Sequence, residues 1–187
     1  MKYLIVGLGN IGDEYANTRH NIGFQVLDAL AKASNTAFKD SRRAFKAEIK
    51  HKGRTLVLIK PTTYMNLSGR AVNYWLQKEK IPMENMLVIT DDLALPYGKV
   101  RIRAKGGDAG HNGLRNINEV LGSSNYSRLR FGIGNEFAKG QQVDFVLGEW
   151  DEDNLKTLAE RIELCTSAIK DFSVIGVQRI MNQYNNK

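Results

Sequence analysis

The chain has 187 residues, enough for one domain burying about 70% of the surface its unfolded form exposes. Hydrophobic residues make up 42% and charged residues 25%, ordinary globular usage, and no apolar run reaches the ~18 residues of a membrane span. The formal charge of +7 bears on partners rather than fold, and a polyanion is its natural counterpart.

The first strand signal is the apolar run Tyr3 to Val6, followed by "GLGNIG" from Gly7 to Gly12. That string fits the glycine pattern of dinucleotide-binding folds. The pattern works only when its last glycine opens a helix whose amides meet the phosphates. Here the stretch after Gly12 is polar until Ile22, so the helix begins too late for a nicotinamide or flavin site. The opening residues also lack a basic leader and a continuous apolar core, because Gly7, Gly9 and Asn10 interrupt them, and a cytoplasmic location is expected.

Further along, apolar spacing predicts a helix over Asn21 to Ala33. A hairpin pairs Phe45 to Ile49 with Thr55 to Ile59 through Lys52-Gly53, and a helix over Ser68 to Lys78 has Ser68 as its cap. Strands at Met86 to Thr90, Val100 to Arg103 and Arg128 to Gly132 alternate with a helix over Leu114 to Leu121. A long helix from Asp151 toward Phe172 and a short one over Gln178 to Tyr184 close the chain. Strands alternating with helices predict an α/β fold, one domain over residues 1–187 whose mixed β-sheet is flanked by helices on both faces. Cys165, the only cysteine, falls on the apolar stripe of the long helix, a packing position. Three scattered histidines and one cysteine form no zinc-type spacing, so neither metal nor cofactor is expected.

Ligands of such sheets gather outside the carboxyl ends of the strands. Four polar stretches follow strands: "GLGNIGDEYANTRHN", "KPTTYMNLSG", "TDDLALPYG" and "KGGDAGHNG". Together they predict a single cleft. In it His20 is the side chain best matched to accepting a proton near neutral pH. Asp91 or Asp92, at the end of an apolar strand, can hold its other ring nitrogen. His111 is a second candidate base, ranked lower because Asp108 is its only evident acidic neighbour. No nucleophile completes a triad, so His20 would activate water directly. Asn10, Asn66 and Asn112 each follow a strand, where an amide can bind a peptide group or polarise a carbonyl.

These stretches, with "RLRFGIG" and "DFVLGEW", run in order from residue 7 to about 150, and together they resemble the bacterial peptidyl-tRNA hydrolase family. The resemblance implies a monomeric, metal-independent esterase that cleaves the bond between a peptide and the terminal ribose of tRNA, binding its acceptor stem and 3′ end without any membrane. It makes His20 the base, Asp91 its orienting partner and Asn10 a substrate contact that senses the N-blocked acyl group. Asn66 and Asn112 would hold the peptide or 3′ end, and Tyr15, Tyr64 and Met65 would line the cleft. Arg103, Arg130 and Lys139 would meet tRNA phosphates. Four departures stand out: Ile11 for a proline, Ala94 for an aspartate, Ala109 for a glycine, and "GIGNEF" without its proline. The family is also similar to splicing factors that keep the fold but bind RNA without catalysis, which leaves a binding-only relative as the alternative.

Overall fold

The protein, described by a computed structural model over residues 1–185 and Lys187, is built on a seven-stranded sheet of order β2-β3-β4-β1-β5-β7-β6. The strands are β1 (Lys2–Gly7), β2 (Lys39–Ser41), β3 (Ala44–His51), β4 (Arg54–Pro61), β5 (Met86–Asp92), β6 (Val100–Arg103) and β7 (Ser127–Gly132). The central strands β4, β1, β5 and β7 run parallel, while β2, β3 and β6 are antiparallel additions at the two edges.

Why the centre is parallel can be read from β1 itself. Its run has no polar face: Leu4 and Val6 point into one core and Ile5 into the other, all fully buried, as a strand covered on both sides requires. On the Ile5 side lie α1 (Ile22–Ala33), α5 (Glu152–Ile175) and α6 (Val177–Tyr184), contributing Leu27, Cys165, Phe172 and Ile180. On the other side lie α2 (Ser68–Lys78) and α3 (Asn112–Leu121), contributing Val72, Trp75, Leu114 and Ile117. Burial pushes the Cys165 thiol up to about 12, so it packs as a small apolar group.

The expected elements are present, with differences that have local causes. Two were not expected: β2, whose Lys-Asp-Ser sequence carries no apolar signal, and α4 (Gln142–Val146), which has no buried residue. Helix α3 starts two residues early because His111 caps it, accepting from the Gly113 and Leu114 amides. Ser68 is not a cap. It is the first residue of α2, and its hydroxyl donates to the Met65 carbonyl at 2.7 Å.

The parallel centre brings the carboxyl ends of β1, β4, β5 and β7 to one edge of the sheet, and the loops after β1, β4 and β5 open there. The loop after β6 does not fit that expectation, since β6 runs antiparallel to β7 and ends beside Arg128, at the opposite edge. Its glycine-rich segment is drawn back across the sheet end by two side chains from β7. Arg128 donates to the carbonyls of Gly106 and Gly107 at 2.8 and 3.0 Å, and Arg130 to Gly107 at 2.9 Å.

The early glycines have a packing role. A methyl group on Gly23, in the first turn of α1, would lie 2.5 Å from the Leu8 nitrogen, 2.6 Å from the Leu8 oxygen and 2.7 Å from the Ile89 oxygen. All three atoms are backbone and cannot swing aside. Gly23→Ala is therefore expected to destabilise by about 2–3 kcal/mol through overpacking, seen as a drop in Tm of about 5–10 °C for a chain of this size. An unchanged thermal melt would mean that α1 does not press on β1 this closely.

Candidate active site

Asp91 occupies the sixth position of β5, paired with Phe131 of β7, and is only 6% exposed. Two imidazoles share its carboxylate: His20 Nδ1 lies 2.8 Å from Oδ2, and His111 Nε2 lies 2.8 Å from Oδ1. The rings are 5.2 Å apart between centroids. His20 is delivered by a single 3-10 turn, Arg19–Asn21, immediately before α1. His111 comes from the loop that Arg128 and Arg130 hold in place.

Burial works against the Asp91 charge, but the fields of His20 and His111 and the two hydrogen bonds outweigh it, holding the carboxyl well below its usual range. An ionised carboxylate only accepts, so both facing nitrogens carry protons. His20 therefore has Nδ1–H bound to Asp91 and a free lone pair on Nε2. In His111 the Nδ1 lone pair is occupied, accepting from the amides of Gly113 and Leu114 at 3.0 and 3.3 Å. Neither of its nitrogens is free, which removes His111 as a second base and makes it a brace between Asp91 and α3. The expectation that it lacked an acidic partner beyond Asp108 is likewise corrected, because Asp91 is that partner, 20 residues away in sequence. Asp92 has a different task, accepting from the Ala94 amide at 2.8 Å and facing Arg130 at 3.6 Å.

Among the described residues His20, Asp91 and His111 are the one donor group compact enough for a cation, with ligand atoms within 4.8 Å of one another. A cation there would displace both imidazole protons from the carboxylate. The donors fit a hydrogen-bonded triad.

Two clefts lie among the described residues, of which the first is lined by this triad. The first, about 510 Å³, is lined by His20, Asp91, His111, Asn112 and Arg130, and α4 adds Gln142, Val143 and Val146. The second, about 520 Å³, is lined by Asn10, Tyr15 and Tyr64. The expected cleft residues divide between these two hollows, which Asn21 links by holding Asn10 of one beside His20 of the other. Asn66 is exposed on the turn before α2 and lines neither. Met65 is corrected from a cleft residue to a core residue: it is buried among Leu8, Val72 and Leu114, with its sulfur against Gly113. Arg103 is exposed at the end of β6, and Lys139 is exposed in the loop before α4.

Asn21 is a part of the site that sequence reasoning missed. It is 1% exposed and clamps Asn10 by both backbone groups: the Asn10 amide donates to Asn21 Oδ1, and Asn21 Nδ2 donates to the Asn10 carbonyl, each at 2.8 Å. Since Asn21 follows His20, the clamp fixes the loop after β1 relative to that imidazole. Its position beside His20 was the available signal, but it was read as a helix residue.

The β6–β7 pair carries the basic face. Arg101 sits opposite Arg130 and Arg103 opposite Arg128, four cations on one face of an edge pair, an arrangement that repulsion disfavours. Backbone carbonyls ease it. Arg128, fully buried, donates to Gly106, Gly107, Ser124 and Tyr126 and lies 4.3 Å from the Tyr126 ring centroid.

For His20, burial disfavours the imidazolium, but the charge and hydrogen bond of Asp91 prevail and raise its pKa above the ordinary 6.5. Asp91→Asn removes both favourable contributions and leaves the burial. The His20 titration followed by NMR is expected to move from above 6.5 to below it. A midpoint unchanged by the substitution would show that Asp91 does not set the state of His20.

The family model for peptidyl-tRNA hydrolase matches residues 4–187. The peptidyl-tRNA hydrolase of Phocaeicola vulgatus is 60% identical and that of Cytophaga hutchinsonii 58% identical, both over the full length of each chain. Among solved structures, peptidyl-tRNA hydrolase from Acinetobacter baumannii superposes with a TM-score of 0.92 at 35% identity, covering 98% of this chain and 94% of the other.

Proposed function

Because the chain belongs to the peptidyl-tRNA hydrolase family and hydrolysis of peptidyl-tRNA is its activity, we propose that His20 is the general base of that reaction and Asp91 its orienting partner. The observation that carries this assignment is the shared carboxylate: Asp91 holds the Nδ1 proton of His20 at 2.8 Å and leaves Nε2 as the one free imidazole nitrogen of the triad. The binding-only reading is not favoured, since the matched relatives are named as hydrolases.

The chemistry follows from these positions. Nε2 takes a proton from water as the water oxygen adds to the ester carbonyl carbon, and the Asp91 charge stabilises the imidazolium that forms. Collapse of the tetrahedral intermediate breaks the bond to the ribose oxygen, which receives the proton back from His20. A free tRNA 3′ end and a peptide carboxylate leave, with one proton released. Asn112, on the cleft wall beside His111, is placed to donate to the carbonyl oxygen as charge develops there. Asn10, fixed by Asn21, meets the first peptide group. Asn66 extends the contact with the acyl chain, Tyr15 and Tyr64 border its path, and Met65 supports that wall from within the core.

Arg103, Arg130 and Lys139 guide the acceptor stem. The basic β6–β7 face and the Arg130 wall of the first cleft support this orientation, with RNA on the His20 side and peptide on the Asn10 side. Action on tRNA fits a cytoplasmic protein, and no helix among the described residues is long and apolar enough to cross a membrane. A monomer is the favoured state, because, of the exposed large apolar residues, Ile11, Tyr64 and Val143 border the two clefts, while Met1, Val120 and Leu155 are spread over the start of the chain, α3 and α5.

Two outcomes are expected with N-acetyl-aminoacyl-tRNA. His20→Ala should lower kcat by about 10²-fold or more, the scale of general base catalysis, while the thermal melt stays close to wild type. Full turnover in a folded His20→Ala protein would remove the assignment.

A second comparison separates the acyl end from the RNA. Asn10→Ala should narrow the preference for N-acetyl-aminoacyl-tRNA over aminoacyl-tRNA. Arg103→Ala should weaken both substrates alike and flatten the salt dependence by a log–log slope of about 0.7–0.9 per lost phosphate contact. Equal losses for Asn10→Ala on the two substrates, or an unchanged slope for Arg103→Ala, would contradict the respective roles.

A further inference from the structure

The second cleft carries a charge that the hydrolytic step does not use. Two arginines line it: Arg43, at the turn between β2 and β3, and Arg70, in the first turn of α2. No carboxylate lines it, and among the described residues neither arginine has an acidic partner within salt-bridge distance. The first cleft is mixed in charge, with Asp91, Asp92 and Asp108 in its wall beside Arg130. The backbone at Arg43 is held by a hydrogen bond from the Thr62 amide to its carbonyl at 2.9 Å, and its guanidinium lies 5.9 Å from the Tyr74 ring centroid.

A second observation is independent of the charges. The Thr63 hydroxyl, on a lining residue of the same cleft, is buried and has no hydrogen-bond partner in the protein. An unpaired buried hydroxyl is costly, and rotation of the Thr63 side chain toward the cleft would let a ligand acceptor satisfy it. The rest of the lining is suited to a polypeptide: Ile11, Leu67 and Leu147 offer apolar surface, and Tyr64 stands 81% exposed at the rim.

We propose that this cleft is a subsite for an acidic side chain of the departing peptide, carried one or two residues before the esterified one. Arg43 and Arg70 provide the counter-charge and Thr63 a hydrogen bond. The inference rests on the placement of Asn10 at the first peptide group, since the same residue lines this cleft and sets the direction of the chain. A carboxylate between two guanidinium groups gains charge-assisted hydrogen bonds, whereas a lysine there meets only like charge. The family's reaction does not require such a preference. It would make this chain quicker to clear peptides that carry an acidic residue just before the esterified one.

The test compares kcat/KM for N-acetyl-Asp-Phe-tRNA and N-acetyl-Lys-Phe-tRNA. Wild type should favour the aspartyl substrate by about five- to tenfold, the scale of one or two exposed ion pairs. The double substitution Arg43→Gln, Arg70→Gln should bring the ratio to about one, and Arg43→Glu, Arg70→Glu should invert it. Both arginines are exposed, so neither pair threatens the fold. Equal wild-type rates on the two substrates would overturn the acidic preference alone. Cleavage of neither would overturn the hydrolase reading with it. If the substitutions lowered both substrates by one factor and flattened the salt dependence, the cleft would hold RNA phosphate and the peptide subsite would be wrong.

Discussion

The site depends on one buried carboxylate shared by two imidazoles. Asp91 has almost no access to water, and its charge is tolerable because each oxygen accepts a hydrogen bond from a different ring. Breaking either would leave an ionised group partly uncompensated in a poorly solvated place, a heavy cost. The two histidines thus have unequal roles despite similar distances. His111 spends its second nitrogen on the start of α3, so helix, ring and carboxylate form a rigid brace. His20 has nothing on its second nitrogen and is the one ring free for chemistry.

What brings these groups together is backbone proximity at the switch point of the sheet. Strand β1 has β4 on one side and β5 on the other, and chains leaving its carboxyl end enter the crevice between them. Gly7 and Gly23 let α1 settle onto that end with no side chain between, which carries His20 to Asp91. Asn21 then ties the loop of Asn10 to the same turn. The result is a short chain of direct contacts, Asn10 to Asn21 to His20 to Asp91 to His111 to α3, crossing the mouth of the sheet from one cleft toward the other.

Much of this was legible in advance. Periodicity located β1, β5, α1 and α2 closely, because each has a clear apolar pattern, and the order of motifs pointed to His20 and Asp91, which hydrogen-bond to each other, and to Asn10, which Asn21 ties to the same turn. Local sequence did not reveal the pairing of His111 with Asp91, which depends on the loop after β6 reversing direction. That reversal relies on Arg128, which reads as an ordinary basic residue in a strand and is in fact fully buried. Met65 was misplaced for a related reason: its neighbours Tyr64 and Asn66 are exposed, and only the tight 3-10 turn turns Met65 inward. Ala109 is a further local surprise, an alanine at φ 52 in a region that costs about 1–2 kcal/mol for a residue with a Cβ.

Arg128 also separates architecture from chemistry. Burial lowers its affinity for the proton, yet a guanidinium starts so far above neutrality that it stays charged throughout the working range of an enzyme. Its partners are carbonyl oxygens, which do not titrate. The clasp on the glycine-rich loop is therefore indifferent to acidity, unlike a carboxylate clasp, which loosens as protons bind. Acidification through the His20 range puts a proton on its free nitrogen while the scaffold around it stays assembled, and returning the pH frees that nitrogen without any loop having to refold.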